Sequence, residues 1–357
     1  MLHISRSAEQ VQVGAPGVRR PPSPNTAVIG MVLYNHADRL PEAIESILCQ
    51  THQDVRLVLV DDESADETPA ICERYQALDD RVTYLRNAQR RGMIGNWRWA
   101  LRAATQLYPE APFYAWASDH DMLHPRWLES CVHTLQAHPD AVLVYPRRVA
   151  LDADDLWRGT NRDGYFGWTF ETEGVRNPLE RMDRGVHGMS AGSMVYGLFR
   201  AAVLDPAMLN YVYLPDRLFL SRLALAGEFW QVHEAHYYRR WGGAVTLERQ
   251  FRGMFPGASQ APRYLGLPWW LTHAGVLFRD LVLQGRGRPR VGRALALAGT
   301  LTYLVSTAHY FTQRTVSAKT HLWGRQLRGK LKELRGLRNT LIKRLRARFA
   351  PRPNPAR

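Results

Sequence analysis

The chain has 357 residues, a formal net charge of +14, and 45% hydrophobic and 22% charged residues. That length implies one catalytic α/β domain with extensions rather than two equal domains, and the ordinary composition excludes wholesale disorder. The charge does not argue for nucleic acid: Phe311 to Arg357 holds 14 Lys and Arg against one acid, Glu333, so this tail carries +13 and leaves +1 for everything before it.

Residues 1–25 read as a flexible leader. Arg6, Arg19 and Arg20 are present, but no apolar run is long enough for a signal-peptide core, and Pro16, Pro21, Pro22 and Pro24 oppose regular structure. Strands are predicted at 27–34, 55–61, 82–86, 113–118 and 141–146, with helices between them at 40–49, 66–78, 93–106 and 125–137. Asp66 has the character of a helix cap, and Pro125 suits a first helical turn. This alternation is the pattern of βαβ units and a mainly parallel, Rossmann-like sheet flanked by helices. Residues 152–190, rich in Gly, Asp, Arg and aromatics, read as loops over an active site. A helix at 216–226 stopped by Gly227 follows, then a strand at 228–238 leading to Arg239, Arg240 and Trp241. Cys49, Cys72 and Cys131 form no CxxC pair and fit a reduced cytosol.

In open α/β sheets ligands bind outside the carboxyl ends of the strands. Tyr34 and Asn35 end the first predicted strand, Asp61 and Asp62 the second, and Ser118, Asp119 and Asp121 the fourth. Asp62 is either an acceptor for a base edge or ribose hydroxyls, or a cap for the turn before a helix. Asp119 and Asp121, two residues apart, suit one hard divalent cation bridging a diphosphate. His120 between them reads as facing solvent or substrate rather than a metal.

The segments AVIGMVLYN, AIESILCQT, LVLVDDESADET, RNAQRRGMIGNW and YAWASDHDMLHPRWL, within residues 27–146, together resemble the family 2 glycosyltransferases of the GT-A fold. The resemblance implies that Tyr34 lies against the nucleobase of a nucleotide-sugar donor, a UDP-sugar by preference, and that Asp62 hydrogen-bonds the base or ribose, with Asn87 and Gly92 bordering the pocket. Asp119 would contact the donor's ribose or sugar, and Asp121 would hold Mg²⁺ or Mn²⁺. In LPDRLFLSRLALAGEF the resemblance assigns the general base to Asp216, although Pro215 stands where the family usually has a first acid. YYRRWGG resembles a segment with which relatives grip the diphosphate; there Arg240 would neutralise charge and Trp241 pack on a sugar, with Tyr237 in place of the usual Gln. HGMSAGSMVYGLFR, at 187–200, resembles the stretch lining the acceptor site. The resemblance also implies inversion at the anomeric carbon and a role in bacterial surface polysaccharide or glycolipid assembly.

The implied division is a GT-A domain at 26–245, with a donor half at 26–150 and an acceptor half at 151–245, an apolar helical region at 246–311 and a basic amphipathic tail at 312–357. Ala294 to Phe311 carries no Lys, Arg, Asp or Glu, but its Ser, Thr and His favour a buried or interfacial helix over a membrane span. In the tail, Trp323, Leu327, Leu331, Leu334, Leu337, Leu341, Leu345 and Phe349 recur at helical spacing among Lys and Arg, which fits an anionic membrane surface. The expected partners are therefore a nucleotide sugar, a glycan or lipid-linked acceptor and the inner face of the cell membrane. Two alternatives stay open: a non-catalytic nucleotide-sugar-binding scaffold, and a nucleotidyltransferase. The second usually needs a glycine-rich, basic triphosphate loop where this chain reads YNHADRL.

Overall fold

The computed structural model describes residues 21–151, 172–188, 192–240, 246–258, 262–285 and 291–319, with 336, 339, 340, 343 and 344 of the tail. Most of the leader, most of the loops expected at 152–190, Trp241 and nearly all of the basic tail lie outside these residues.

The first half alternates as the sequence predicts: β1 (Ala27–Leu33), α1 (Leu40–Leu48), β2 (Val55–Asp61), α2 (Thr68–Leu78), β3 (Val82–Arg86), α3 (Gly92–Leu107), β4 (Phe113–Ser118), β5 (Met122–Leu123), α4 (Trp127–Ala137) and β6 (Ala141–Leu151). The second half holds α5 (Pro178–Gly188), β7 (Leu198–Arg200), α6 (Pro215–Leu223), β8 (Glu228–Arg240), α7 (Leu247–Met254), α8 (Trp269–Leu277) with a π-helical turn at Phe278–Leu283, and α9 (Arg293–Lys319). Helix α6 is shorter than expected and starts with Pro215 in its first turn, where the missing N–H has no helical partner to lose. Asp66 and Pro125 both fall just outside the helices they were expected to open; Asp66 still accepts the Thr68 N–H at 3.1 Å.

Among the described residues eight strands form one sheet in the order β3-β2-β1-β4-β7-β6-β8-β5. Strands β3, β2, β1 and β4 are parallel, β7 runs antiparallel to both neighbours, β6 and β8 are parallel, and β5 is antiparallel to β8. Strand β2 is buried along its whole length and β1 nearly so, as central parallel strands covered on both faces must be. One core packs Trp116, Phe199, Phe219 and Phe229 against α3 and α6; the other packs Ile29, Met31, Leu57 and Leu59 against α1, α2 and α4. A third cluster, including Leu179, Met182, Leu277, Leu281 and Tyr303, joins α5, α8 and α9. In α9 the apolar stretch at 294–311 buries Ala296, Ala298, Tyr303 and Ser306. No helix among the described residues is long and apolar enough to cross a membrane.

Candidate active site

Strands β2, β1 and β4 lie side by side in register, with Leu33 paired to Asp61 and Val32 paired to Ser118. The residues just past these pairs therefore emerge together at the carboxyl edge of the sheet. The Asp62 N–H donates to the Leu33 carbonyl at 3.0 Å, and the Tyr34 N–H donates to Asp119 Oδ2 at 3.0 Å, so the two acidic strand tips are tied to one edge through β1.

Asp62 is buried and accepts from the Arg91 N–H at 2.7 Å, the Gly92 N–H at 2.9 Å and Asn87 Nδ2 at 3.0 Å. It thus holds the amino end of α3, not the turn before α2 that the sequence offers as the alternative. Gly92 has φ +72, a region open to glycine at little cost, and an added Cβ would meet Pro256, Gly253 and Met254. The Arg90 guanidinium lies 3.7 Å from the centre of the Tyr34 ring, which makes two stacked planar groups at the mouth of this pocket.

Asp119 is the hub of the second tip. His36 Nδ1 lies 3.0 Å from its Oδ2 and His120 Nδ1 2.6 Å from its Oδ1, and the two imidazole rings are 4.7 Å apart. Burial alone would push the Asp119 carboxyl up, but the hydrogen bonds and charges of His120 and His36 hold it at about 2. The same Asp119 contact raises the His36 imidazole above its ordinary value. One ligand atom from each of His36, Asp119 and His120 falls within a 4.8 Å group able to hold a metal ion. Asp121 is outside that group: its Oδ2 accepts from the Tyr237 hydroxyl and its Oδ1 from the Arg240 N–H at 2.8 Å.

Asp216 opens α6 on the other side. Burial raises its carboxyl above the ordinary range, opposed by the Arg217 N–H and charge and by Arg239. Tyr196 stacks on Tyr237 at 5.2 Å, and the charges of Arg239, Asp121, Asp119 and Asp216 act on its hydroxyl. Arg240 turns its guanidinium to Glu42, at 2.5 Å, and to the His120 carbonyl, at 2.7 Å. Arg239, two residues from Tyr237 and so on the same face of β8, stands nearer to Asp216 in its effect.

Tyr34, Asp62, Asn87, Gly92, Asp119 and Asp121 thus share the carboxyl edge, while Asp216 stands at the start of α6 and acts on Tyr196 by its charge alone. Sequence reasoning missed His36, Arg90 and Tyr196. His36 was legible as a titratable residue in a strand-end loop, whereas nothing local marks Tyr196. A separate groove of about 780 Å³, lined by Gln53, Asp54, Arg56, Asp79, Asp80 and Arg81, lies at the amino ends of β2 and β3, away from this cleft.

Residues 28–200 match the family model described as Glycosyl transferase family 2. EpsE of Bacillus subtilis, a glycosyltransferase by provisional name, is 34% identical over 116 residues, covering 32% of this chain and 40% of that protein. The uncharacterized glycosyltransferase RP339 of Rickettsia prowazekii is 30% identical over 124 residues, covering 34% of this chain and 36% of that protein. The match therefore spans less than half the length of either relative. The crystal structure of S. aureus TarS in complex with UDP-GlcNAc superposes with a TM-score of 0.55 at 14% identity, over 90% of this chain and 82% of that one, and shares the GT-A architecture. Residues 28–200, with their strand-tip acids on a GT-A sheet, belong to glycosyl transferase family 2.

Proposed function

We propose that this chain is an inverting glycosyltransferase that moves a sugar from a nucleotide-diphosphate sugar to a hydroxyl acceptor. The observation that carries the reading is the placement of Tyr34, Asp62 and Asp119 at three adjacent strand tips on one sheet edge, with Asp216 close enough for its charge to act on Tyr196.

In this reading Tyr34 and Arg90 flank the base, while Asp62, Asn87 and Gly92 form the pocket floor. His36, Asp119 and His120 would hold the divalent cation. A set of two imidazoles and one carboxylate fits a cation that accepts nitrogen as well as oxygen, so Mn²⁺ suits it better than Mg²⁺. When bound, such an ion supplies Lewis-acid stabilisation to the departing diphosphate. Asp121, fixed by Tyr237 and the Arg240 N–H, carries negative charge beside that group; for it to ligate as the family resemblance implies, one of these donors has to let go.

Asp216 takes the acceptor's proton as the acceptor oxygen bonds to the anomeric carbon, and the bond from that carbon to the diphosphate breaks with inversion. A carboxyl raised by burial is a better proton acceptor than an ordinary aspartate. Arg239 offers positive charge on this side of the cleft; Arg240 reaches the diphosphate only by leaving Glu42. UDP-sugars are the preferred donors, and the acceptor is a glycan or lipid-linked sugar at the cytoplasmic face of the membrane.

The test is a melting-temperature screen of UDP-glucose, UDP-galactose, UDP-N-acetylglucosamine, GDP-mannose and dTDP-rhamnose with and without Mn²⁺, followed by assay of nucleoside diphosphate release. Stabilisation by one donor and release of its diphosphate are expected, with release lost in Asp216→Asn while donor binding persists. Donor binding with no release by the wild type would favour the non-catalytic scaffold, and pyrophosphate release would favour a nucleotidyltransferase.

A further inference from the structure

Leu214, two residues before Asp216, sits in the left-handed region at φ 52 and ψ 52, where a non-glycine residue persists only if its surroundings enforce it. The peptide unit that leads into it is gripped at both ends. Its N–H, that of Leu214, donates to Gln250 Oε1 of α7 at 2.9 Å. Its carbonyl, that of Tyr213, lies 2.7 Å from His273 Nε2 of α8.

A carbonyl only accepts, so His273 carries its proton on Nε2 and leaves Nδ1 bare. Nδ1 lies 2.6 Å from the Tyr303 hydroxyl of α9, which donates to it. His273 is fully buried, and burial depresses its imidazole to about 3, so the ring stays neutral and this tautomer is kept at every physiological pH. Beyond the left-handed residue, the Leu214 carbonyl accepts from the Arg217 N–H at 3.1 Å and opens α6, which fixes where Asp216 stands on the first turn.

We propose that Gln250 and His273, the latter set by Tyr303, are positioning residues that clamp the Tyr213–Leu214 peptide and thereby aim the Asp216 carboxylate at the acceptor. The inference rests on the reading of Asp216 as the base. It assigns a role in the reaction to α7, α8 and α9, all of which lie beyond the residues matched by the family. Two separate side chains on the two polar ends of one amide next to a strained residue exceed what helix packing needs, and the strain they hold lies at the start of the helix that carries the base.

Full-length variants test this in pairs. Gln250→Leu removes the acceptor and Gln250→Glu keeps one; His273→Leu removes the donor, and His273→Gln keeps an N–H at similar reach. Each is compared with wild type and Asp216→Asn for release of nucleoside diphosphate from the sugar nucleotide that gave the largest melting shift. Gln250→Leu is expected to lower kcat by about ten- to a hundredfold with the donor KM unchanged, and Gln250→Glu to restore it. His273→Leu and His273→Gln should repeat the contrast. In hydrogen exchange, Gln250→Leu should speed the amides at 212–217 while the central strands keep their protection. The partly exposed position of Gln250 keeps the test informative if His273→Leu does not fold. A folded Gln250→Leu with wild-type kcat, or with unchanged protection at 212–217, overturns the clamp. If Asp216→Asn retains turnover, the base assignment fails first, and that result is distinct from an inactive Asp216→Asn beside a fully active Gln250→Leu.

Discussion

An acid whose ionised form is disfavoured by its surroundings lowers the stability of its own fold once it ionises. Because the Asp216 carboxyl is raised in the folded chain, the folded state binds its proton more tightly than the unfolded one, and stability falls as pH rises from about 4 through that raised value before levelling off. Asp216→Asn removes the ionisation, so it should melt above wild type at about pH 7 and lose that advantage below about pH 4. Thermal unfolding across that range gives the answer; parallel curves for the two proteins would mean that Asp216 is not shifted. The acid limb of the rate profile should fall at a pH above the ordinary carboxylate range for the same reason. Asp62 matters to stability through its hydrogen bonds. Its carboxylate satisfies three donors at the start of α3, so Asp62→Ala should cost about 1–3 kcal/mol in urea unfolding besides weakening the donor.

At the scale of elements, the sequence marks β1 to β4 and α1 to α4 clearly because each strand is a short β-branched or, in β4, aromatic run ended by turn-forming residues, and each helix has an apolar stripe. The acids stand out for the same reason: a carboxylate straight after a buried strand has nowhere to go but the sheet edge. The sequence is silent on β5 and β7, two and three residues long, since no periodicity develops over that length. It ends β6 too early, at Pro146, because a proline cannot serve a regular ladder; the strand continues to Leu151 by shifting register between Pro146 and Arg147. His36 meets Asp119, and Gln250 meets Leu214, only through the fold. Gly227 was read as a helix stop, yet α6 has already ended at Leu223 and the glycine serves close packing. A Cβ there would collide with Val142 and stand 2.6 Å from the Asp140 carbonyl oxygen. Gly227→Ala should therefore destabilise by about 1–3 kcal/mol, seen as a lower urea midpoint at unchanged slope.

At the scale of the molecule, the positive charge and the catalytic cleft belong to different parts of the chain. The tail from Phe311 carries +13, and α8 with its flanking turns exposes Leu267, Leu271, Phe278 and Leu283. We expect the full chain to sediment with vesicles containing anionic phosphatidylglycerol, to lose most of that binding as salt rises, and to lose it on deletion of residues 320–357 without loss of soluble donor turnover. Equal binding to neutral vesicles would remove the electrostatic explanation.

The order in which the cleft is encoded has a consequence for biogenesis. Tyr34, Asp62, Asn87, Gly92 and Asp119 all precede residue 120, whereas the peptide grip before Asp216 needs Gln250 and His273. During translation the strand tips that carry these residues therefore emerge well before the side chains that hold the peptide ahead of Asp216. With Asp216 as the base, an unfinished polypeptide on the ribosome would stay without turnover until α7 and α8 have emerged.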